Sequence, residues 1–123
     1  MPVRQRHHYC SFKNERRQRW VEPSILYTLW DGPKHGYEIM SALPELGFIQ
    51  GNADPGAIYR TLRVMEENNF VRSEWDTSGT GPAKRTYTLT ENGREHLSCW
   101  RDALKQRRDA LDAFIQRIDQ ITS

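Results

Sequence analysis

No run of apolar residues in the 123-residue chain approaches the roughly 20 needed to cross a bilayer, so a membrane-spanning helix is not expected. The basic start is not followed by an apolar stretch, which leaves out the central region of a secretory signal, and a cytoplasmic protein is expected. There are only two cysteines, Cys10 and Cys99. They offer at most one bridge, and in a reducing cytosol free thiols are the default reading. The chain also lacks the signatures of catalysis: it has no nucleophile elbow, no zinc-protease histidine pair and no phosphate-cradling glycine loop. Gly79-Thr80-Gly81 reads as a hairpin tip. No catalytic residue, resident metal or cofactor is therefore assigned, and an enzyme is not expected. Internal repeats and low-complexity segments are missing too.

What is present suits one small folded domain. Apolar residues make up 37% of the chain and charged residues 28%, a globular composition, and the length supports a single core. The net charge of +2 says little by itself, but it is unevenly spread. Residues 1–20 carry Arg4, Arg6, Lys13, Arg16, Arg17 and Arg19 against Glu15, near +5, which leaves the rest near −3. Such asymmetry points to a polyanion, with a solvated leader as the plainer alternative. Three parts are expected: a basic leader over 1–20, a folded unit over 21–90 and a C-terminal helix over 91–123.

The leader lacks apolar periodicity in its first dozen residues, which are expected to be mobile; Phe12 to Trp20 could add a helical turn or two. From Glu22 to Trp30 an apolar run with Pro23 in its first turn predicts a buried helix, stopped by Asp31, Gly32 and Pro33. A short second helix is expected from His35 to Leu43, with Tyr37, Met40 and Leu43 on one side and Pro44 as its end. After a glycine-rich connector, Asp54-Pro55 is a cap followed by a first-turn proline, and starts a third helix running to Asn68. Two strands, Phe70 to Trp75 and Arg85 to Leu89, then flank turn residues and should form a hairpin. Thr90 caps a last helix reaching about Ile121.

Three short helices and a two-stranded ribbon make a mainly α fold with a small β-hairpin, the winged helix-turn-helix order in which the third helix enters the major groove. On that helix Ile58, Leu62 and Met65 share one face, whereas Gly56, Arg60 and Arg63 lie opposite with Tyr59 on the flank. Gly56 leaves the helix N-terminus open to a phosphate, and Lys84 and Arg85 sit on the returning strand of the ribbon, the wing.

The residues also resemble a known family. Gly32-Pro33-Lys34-His35-Gly36-Tyr37-Glu38-Ile39, within the stretch from Ile25 to Leu43, is similar to the first two helices of PadR-family regulators. Pro55-Gly56-Ala57-Ile58-Tyr59-Arg60-Thr61-Leu62 resembles their recognition helix. Val71 to Trp75, Gly81 to Arg85 and Tyr87 to Gly93 resemble their wing and the start of their last helix. The resemblance covers about residues 22–100. It implies a sequence-specific transcriptional regulator, a repressor released by a small effector, with Lys34, His35, Gly36, Tyr37, Gly56, Tyr59, Arg60, Arg63, Lys84 and Arg85 as DNA-contacting positions. Ala57 departs from the family's frequent hydroxyl residue, Pro44 shortens the second helix, and the basic leader is longer than in a minimal member.

In the last helix Leu97, Trp100, Leu104, Leu111, Phe114, Ile118 and Ile121 recur at three- and four-residue steps, broken where Arg107 takes an apolar position. A helix of about 30 residues is roughly 45 Å long, more than a small domain can cover. The stripe therefore predicts a homodimer, as the resemblance also implies, and with it an inverted-repeat DNA operator. Trp100, in the first half of the seam, could meet its symmetry mate and frame a cavity for a planar aromatic effector, or be plain dimer core. Two other functions remain open. His7, His8 and Cys10, with His96 and Cys99 three apart on one helix face, would suit a metal- or redox-responsive regulator, although each cluster falls short of the four ligands zinc usually takes. A protein-interaction module without DNA affinity is the other.

Overall fold

Eight residues, Val21–Thr28, form α1, with Val21, Ile25 and Leu26 inside and Tyr27 at the surface. Leu29 completes the buried face and Trp30 turns outward. The helix stops in a turn through Gly32, whose φ of +146° is open to glycine and strained for other residues. The computed structural model describes residues 21–46 and 54–123. The expectations for the leader, including Phe12 to Trp20, His7, His8 and Cys10, and for most of the glycine-rich connector lie outside the described residues.

Lys34–His35 then forms β1, a strand the sequence did not announce. It pairs antiparallel with β3 (Lys84–Leu89), which also pairs with β2 (Val71–Asp76), so the hairpin is part of a three-stranded sheet in the order β1-β3-β2. Helix α2 covers Gly36–Ala42, and Leu43–Leu46 adds a 3₁₀ turn. The α-helix ends just ahead of Pro44 as expected, and the chain continues into a tighter turn whose early position suits proline's fixed φ and missing N–H. The expected inner face of α2 is also rotated. Ile39 and Leu43 are buried and Met40 partly so, but Tyr37 is about half exposed, because the helix packs through Gly36 and Ile39.

Helix α3 covers Pro55–Glu67, and the Asp54 carboxylate accepts the Gly56 N–H at 3.3 Å. Ile58, Leu62 and Met65 are buried as the wheel requires. Asn69, at φ +66°, reverses the chain into β2, a conformation that asparagine tolerates better than most residues. The β2–β3 register runs from Val71 opposite Leu89 to Asp76 opposite Lys84.

Helix α4, Glu91–Thr122, starts at Thr90, whose Oγ1 accepts the Gly93 N–H at 2.9 Å and lies 2.7 Å from the Asn69 carbonyl oxygen as donor. A Cβ on Gly93 would stand 2.2 Å from the Phe70 carbonyl oxygen. Alanine normally favours a helix over glycine by about 1 kcal/mol, but here it would drive α4 away from β2.

The apolar stripe of α4 divides into two. Trp100 is buried in its own chain, and Leu97 and Leu104 pack partly against the same core. Leu111, Phe114, Ile118 and Ile121 are exposed, as is Ile115. The expectation that Trp100 lines an effector cavity at a dimer seam is thus corrected: its indole faces α1, where Nε1 donates to Glu22 Oε1 at 2.6 Å. The same oxygen lies 2.8 Å from His96 Nε2, and the His96 ring stacks on Phe70 at 3.9 Å between centroids. Cys99 is disulfide-bonded, so the expected free thiol is not found; distance along the chain does not limit which sulfurs folding brings together. With His96 buried against Glu22 and Cys99 bridged, this pair does not present two open ligands, and no metal-binding group of three or more His, Cys, Asp or Glu occurs among the described residues.

Candidate nucleic-acid interface

Alternation of inward and outward positions on α3 sets the centre of the site. With Ile58, Leu62 and Met65 turned inward, Gly56, Arg60 and Arg63 are exposed and Tyr59 is 43% exposed. Arg63 makes no ion pair with another described residue, so its five donors are available. Arg60 is placed differently. Its guanidinium lies 3.9 Å from Asp54 and 3.2 Å from where a Gly56 Cβ would be, so part of the space that glycine opens at the helix N-terminus is used by an arginine of the same chain.

Gly36 is buried, and a Cβ there would stand 2.6 Å from the Tyr59 hydroxyl oxygen. Its missing side chain seats Tyr59 across α2, which makes Gly36 a packing residue rather than an exposed contact. Tyr37, the next residue, faces out, with Lys84 of the wing 5.2 Å from its ring centroid. Arg85 lies 5.1 Å from the exposed Trp75 ring and donates from Nε to Ser73 Oγ at 2.9 Å. Its Nη2 is 4.0 Å from Glu66 on α3. Aromatic faces thus support both wing cations at the surface, where cation–π contacts orient a charge without desolvating it.

Lys34 and His35 both lie against carboxylates of their own chain. Lys34 Nζ donates to Asp31 at 2.9 Å, and this ion pair holds the Asp31 carboxyl below the usual carboxylate range. His35 Nε2 is 3.1 Å from Asp76 Oδ2. Asp76 also accepts from the Ser78 hydroxyl and backbone N–H, and these bonds, with His35 third, lower its pKa to about 2. Burial raises the Tyr87 phenol above its usual value, beneath the sheet.

The structure therefore brings His35, Gly36, Tyr37, Tyr59 and Lys84 together where α2, α3 and the wing meet, with Arg60 and Arg63 on the neighbouring outer face. Sequence reasoning missed Asp76, Ser78, Trp75 and Glu38. Glu38 carries a local signal, an acid three residues after a helix cap whose carboxylate accepts the His35 N–H at 2.7 Å, and Asp76 carries another, a turn carboxylate that accepts the N–H two residues on.

Helices α1 to α3, the three-stranded sheet and the exposed outer face of α3 define a winged helix-turn-helix protein. Residues 25–99 match the model of the transcriptional regulator PadR-like family, and the chain belongs to that family. It is 36% identical over 78 residues to a probable transcriptional regulator of Mycobacterium tuberculosis, which covers 63% of this chain and 41% of that protein. It is 30% identical over 82 residues to the negative transcriptional regulator PadR of Bacillus subtilis, covering 67% of this chain and 45% of that one. The chain thus spans less than half the length of these curated relatives. The crystal structure of the Bacillus subtilis protein in complex with operator DNA superposes with a TM-score of 0.59, 30% identity, and coverage of 68% of this chain and 47% of that one. A PadR-family regulator from Clostridium difficile, 22% identical, shares the fold with a TM-score of 0.68 over 78% of this chain and 98% of its own.

Proposed function

We propose that this chain is a sequence-specific DNA-binding transcriptional regulator of the cytoplasm, acting as a homodimer on an inverted-repeat operator and repressing transcription. It is a binding protein and not an enzyme. The observation that carries this reading is the outer face of α3, where Arg63 is exposed without an ion-pair partner among the described residues, flanked by Tyr59 and by wing cations held on aromatic rings. The family relationship and the operator complex of the Bacillus subtilis relative support it.

An arginine in the major groove can hold guanine in a bidentate contact, whereas Lys84 and Arg85 are suited to phosphates. The test is a salt titration with the chain's own upstream DNA and a scrambled duplex. Arg63→Ala is expected to cost about 1–3 kcal/mol on the cognate site and to blur preference at one base position per half-site. Lys84→Ala is expected to weaken both duplexes alike and shallow the salt dependence by about one unit. Because a two-fold dimer presents α3 twice, half-site centres should be about 10 base pairs, or a whole-turn multiple, apart. An Arg63→Ala protein that keeps affinity and preference moves recognition off α3; a wild-type protein that treats both duplexes equally makes the chain an interaction module instead.

The disulfide at Cys99 favours a second reading, regulation by redox state, since cytosolic bridges are usually transient or sensing. Operator affinity measured with and without reductant decides it: equal affinities in the two states remove the redox reading.

A further inference from the structure

The ring of His35 stands between two carboxylates on different elements, a juxtaposition that direct contact with DNA does not require. β1 pairs His35 with Thr86, which holds the histidine beside the wing while its backbone opens α2. Nε2 is 3.1 Å from Asp76 Oδ2 on β2, and Nδ1 is 3.3 Å from Glu38 Oε1 on α2, without the alignment of a hydrogen bond. The ring is nearly parallel to that of Tyr37, 5.8 Å away. With its side chain only 23% exposed, the imidazole is committed to the protein.

We propose that His35 is a positioning residue for DNA binding, whose protonated ring fastens the wing to the N-terminus of α2 through Asp76 and Glu38. The proposal rests on the DNA-binding reading above. A neutral imidazole has one N–H and one lone pair. If Nε2 donates to Asp76, the Nδ1 lone pair faces a carboxylate oxygen; the doubly protonated ring offers an N–H to each acid and a charge between them. The other charged or titratable groups around this junction are Asp31 and Lys34, paired with each other before α2, Tyr37 on α2, Tyr59 on α3 packed against Gly36, and Lys84 on β3 opposite Asp76. The low pKa of Asp76 keeps it ionised throughout the range in which histidines titrate. The sign follows: the fastening is complete while the ring carries its second proton and weakens as rising pH removes it. A loosened wing carries Lys84 and Arg85 away from the phosphates they would meet when α3 lies in the groove.

Hydrogen exchange of the wing amides around Asp76 and Ser78 in DNA-free protein, expressed as protection factors at pH 6 and 8, reads the fastening directly. Operator affinity at the same two pH values reads its consequence. Wild-type protein should show protection and affinity several-fold higher at pH 6. His35→Phe keeps a ring but neither polar contact, and should lose both by about three- to tenfold, the size of one net hydrogen bond, with a flat pH response. His35→Gln keeps one donor for Asp76 and should recover part of the protection without the pH response. The other histidines, His7, His8 and His96, remain in both variants, so a pH response that vanishes belongs to His35. Wild-type protection and pH response in His35→Phe overturn the proposal, as does lost protection with unchanged operator affinity. Because exchange needs no DNA, a protein whose wing behaves as expected but which prefers no duplex supports the fastening and defeats the DNA-binding reading instead.

Discussion

Phe114→Glu with Ile118→Glu is expected to convert the proposed homodimer into a monomer whose winged domain is intact and whose operator affinity has fallen at least a hundredfold. At 1.5 Å per residue the 32 residues of α4 extend about 48 Å. Its buried positions end at Trp100, with Ala103 and Leu104 half-buried, and every residue from Lys105 onward is exposed. Leu111 is 49% exposed, Phe114 59%, Ile115 51%, Ile118 39% and Ile121 82%, a contiguous apolar edge that the described fold leaves uncovered. A second copy of the same helix supplies a matching edge. Each large side chain fully buried there contributes about 1.5–3 kcal/mol, and the double substitution removes two such residues from each protomer and adds four charges to the interface. The distal helix touches no core residue, so the winged domain of the monomer should still fold, its thermal transition falling only by what subunit association adds to the wild type. Loss of affinity follows from geometry: a dimer engages its second half-site at the effective concentration set by the first, a gain of about 10²–10⁴ that a monomer forfeits. Sedimentation of the variant with operator titration checks both halves. A variant that stays dimeric at full affinity places the interface elsewhere.

The same stripe shows where the sequence is legible and where it is not. Thr90 at the start of α4 and Asp54 before α3 were readable because a cap is a local device, one side chain acting on backbone two or three residues away. The wheel of α3 was readable because one face is apolar and the other is not. Two-residue β1 has no period, and exists because β3 offers it a free edge. The rotation of α2 depends on Gly36 seating a tyrosine from another helix. Along α4 the apolar positions Leu97, Trp100, Leu104 and Leu111 keep one register on either side of Arg107, and nothing in a spacing tells whether the cover is the chain's own α1 or a second subunit. The fact that decides it, the Glu22 carboxylate at the start of α1 accepting from Trp100, is separated by 78 residues and has no local signature. Similarly, Lys34, His35 and Gly36 are identifiable as positions of the interface by resemblance, but their pairing with Asp31, with Asp76 and Glu38, and against Tyr59 has no signature in the sequence.

Trp100→Ala should accordingly act on the fold and not on the dimer. The indole is 1% exposed, closes the contact between α1 and α4, and donates to a carboxylate oxygen that also holds His96. Truncating a buried tryptophan to alanine costs about 3–5 kcal/mol through lost burial and the cavity that remains. Glu22 loses a donor at the same time, and a hydrogen bond to a charged group is worth about 1.5–3 kcal/mol. For a domain of this size a loss of 3 kcal/mol lowers Tm by more than about 10 °C. Trp100→Phe keeps one six-membered ring but loses Nε1 together with the rest of the five-membered ring, so its cost should lie between the hydrogen-bond figure and that of Trp100→Ala. In both variants the exposed edge from Leu111 to Ile121 is untouched, so molecules that remain folded below the transition should still sediment as dimers. Thermal melts and sedimentation on the same samples test the assignment. A Trp100→Ala protein that melts like wild type but dissociates would return Trp100 to the subunit interface and reopen an intersubunit cavity around it.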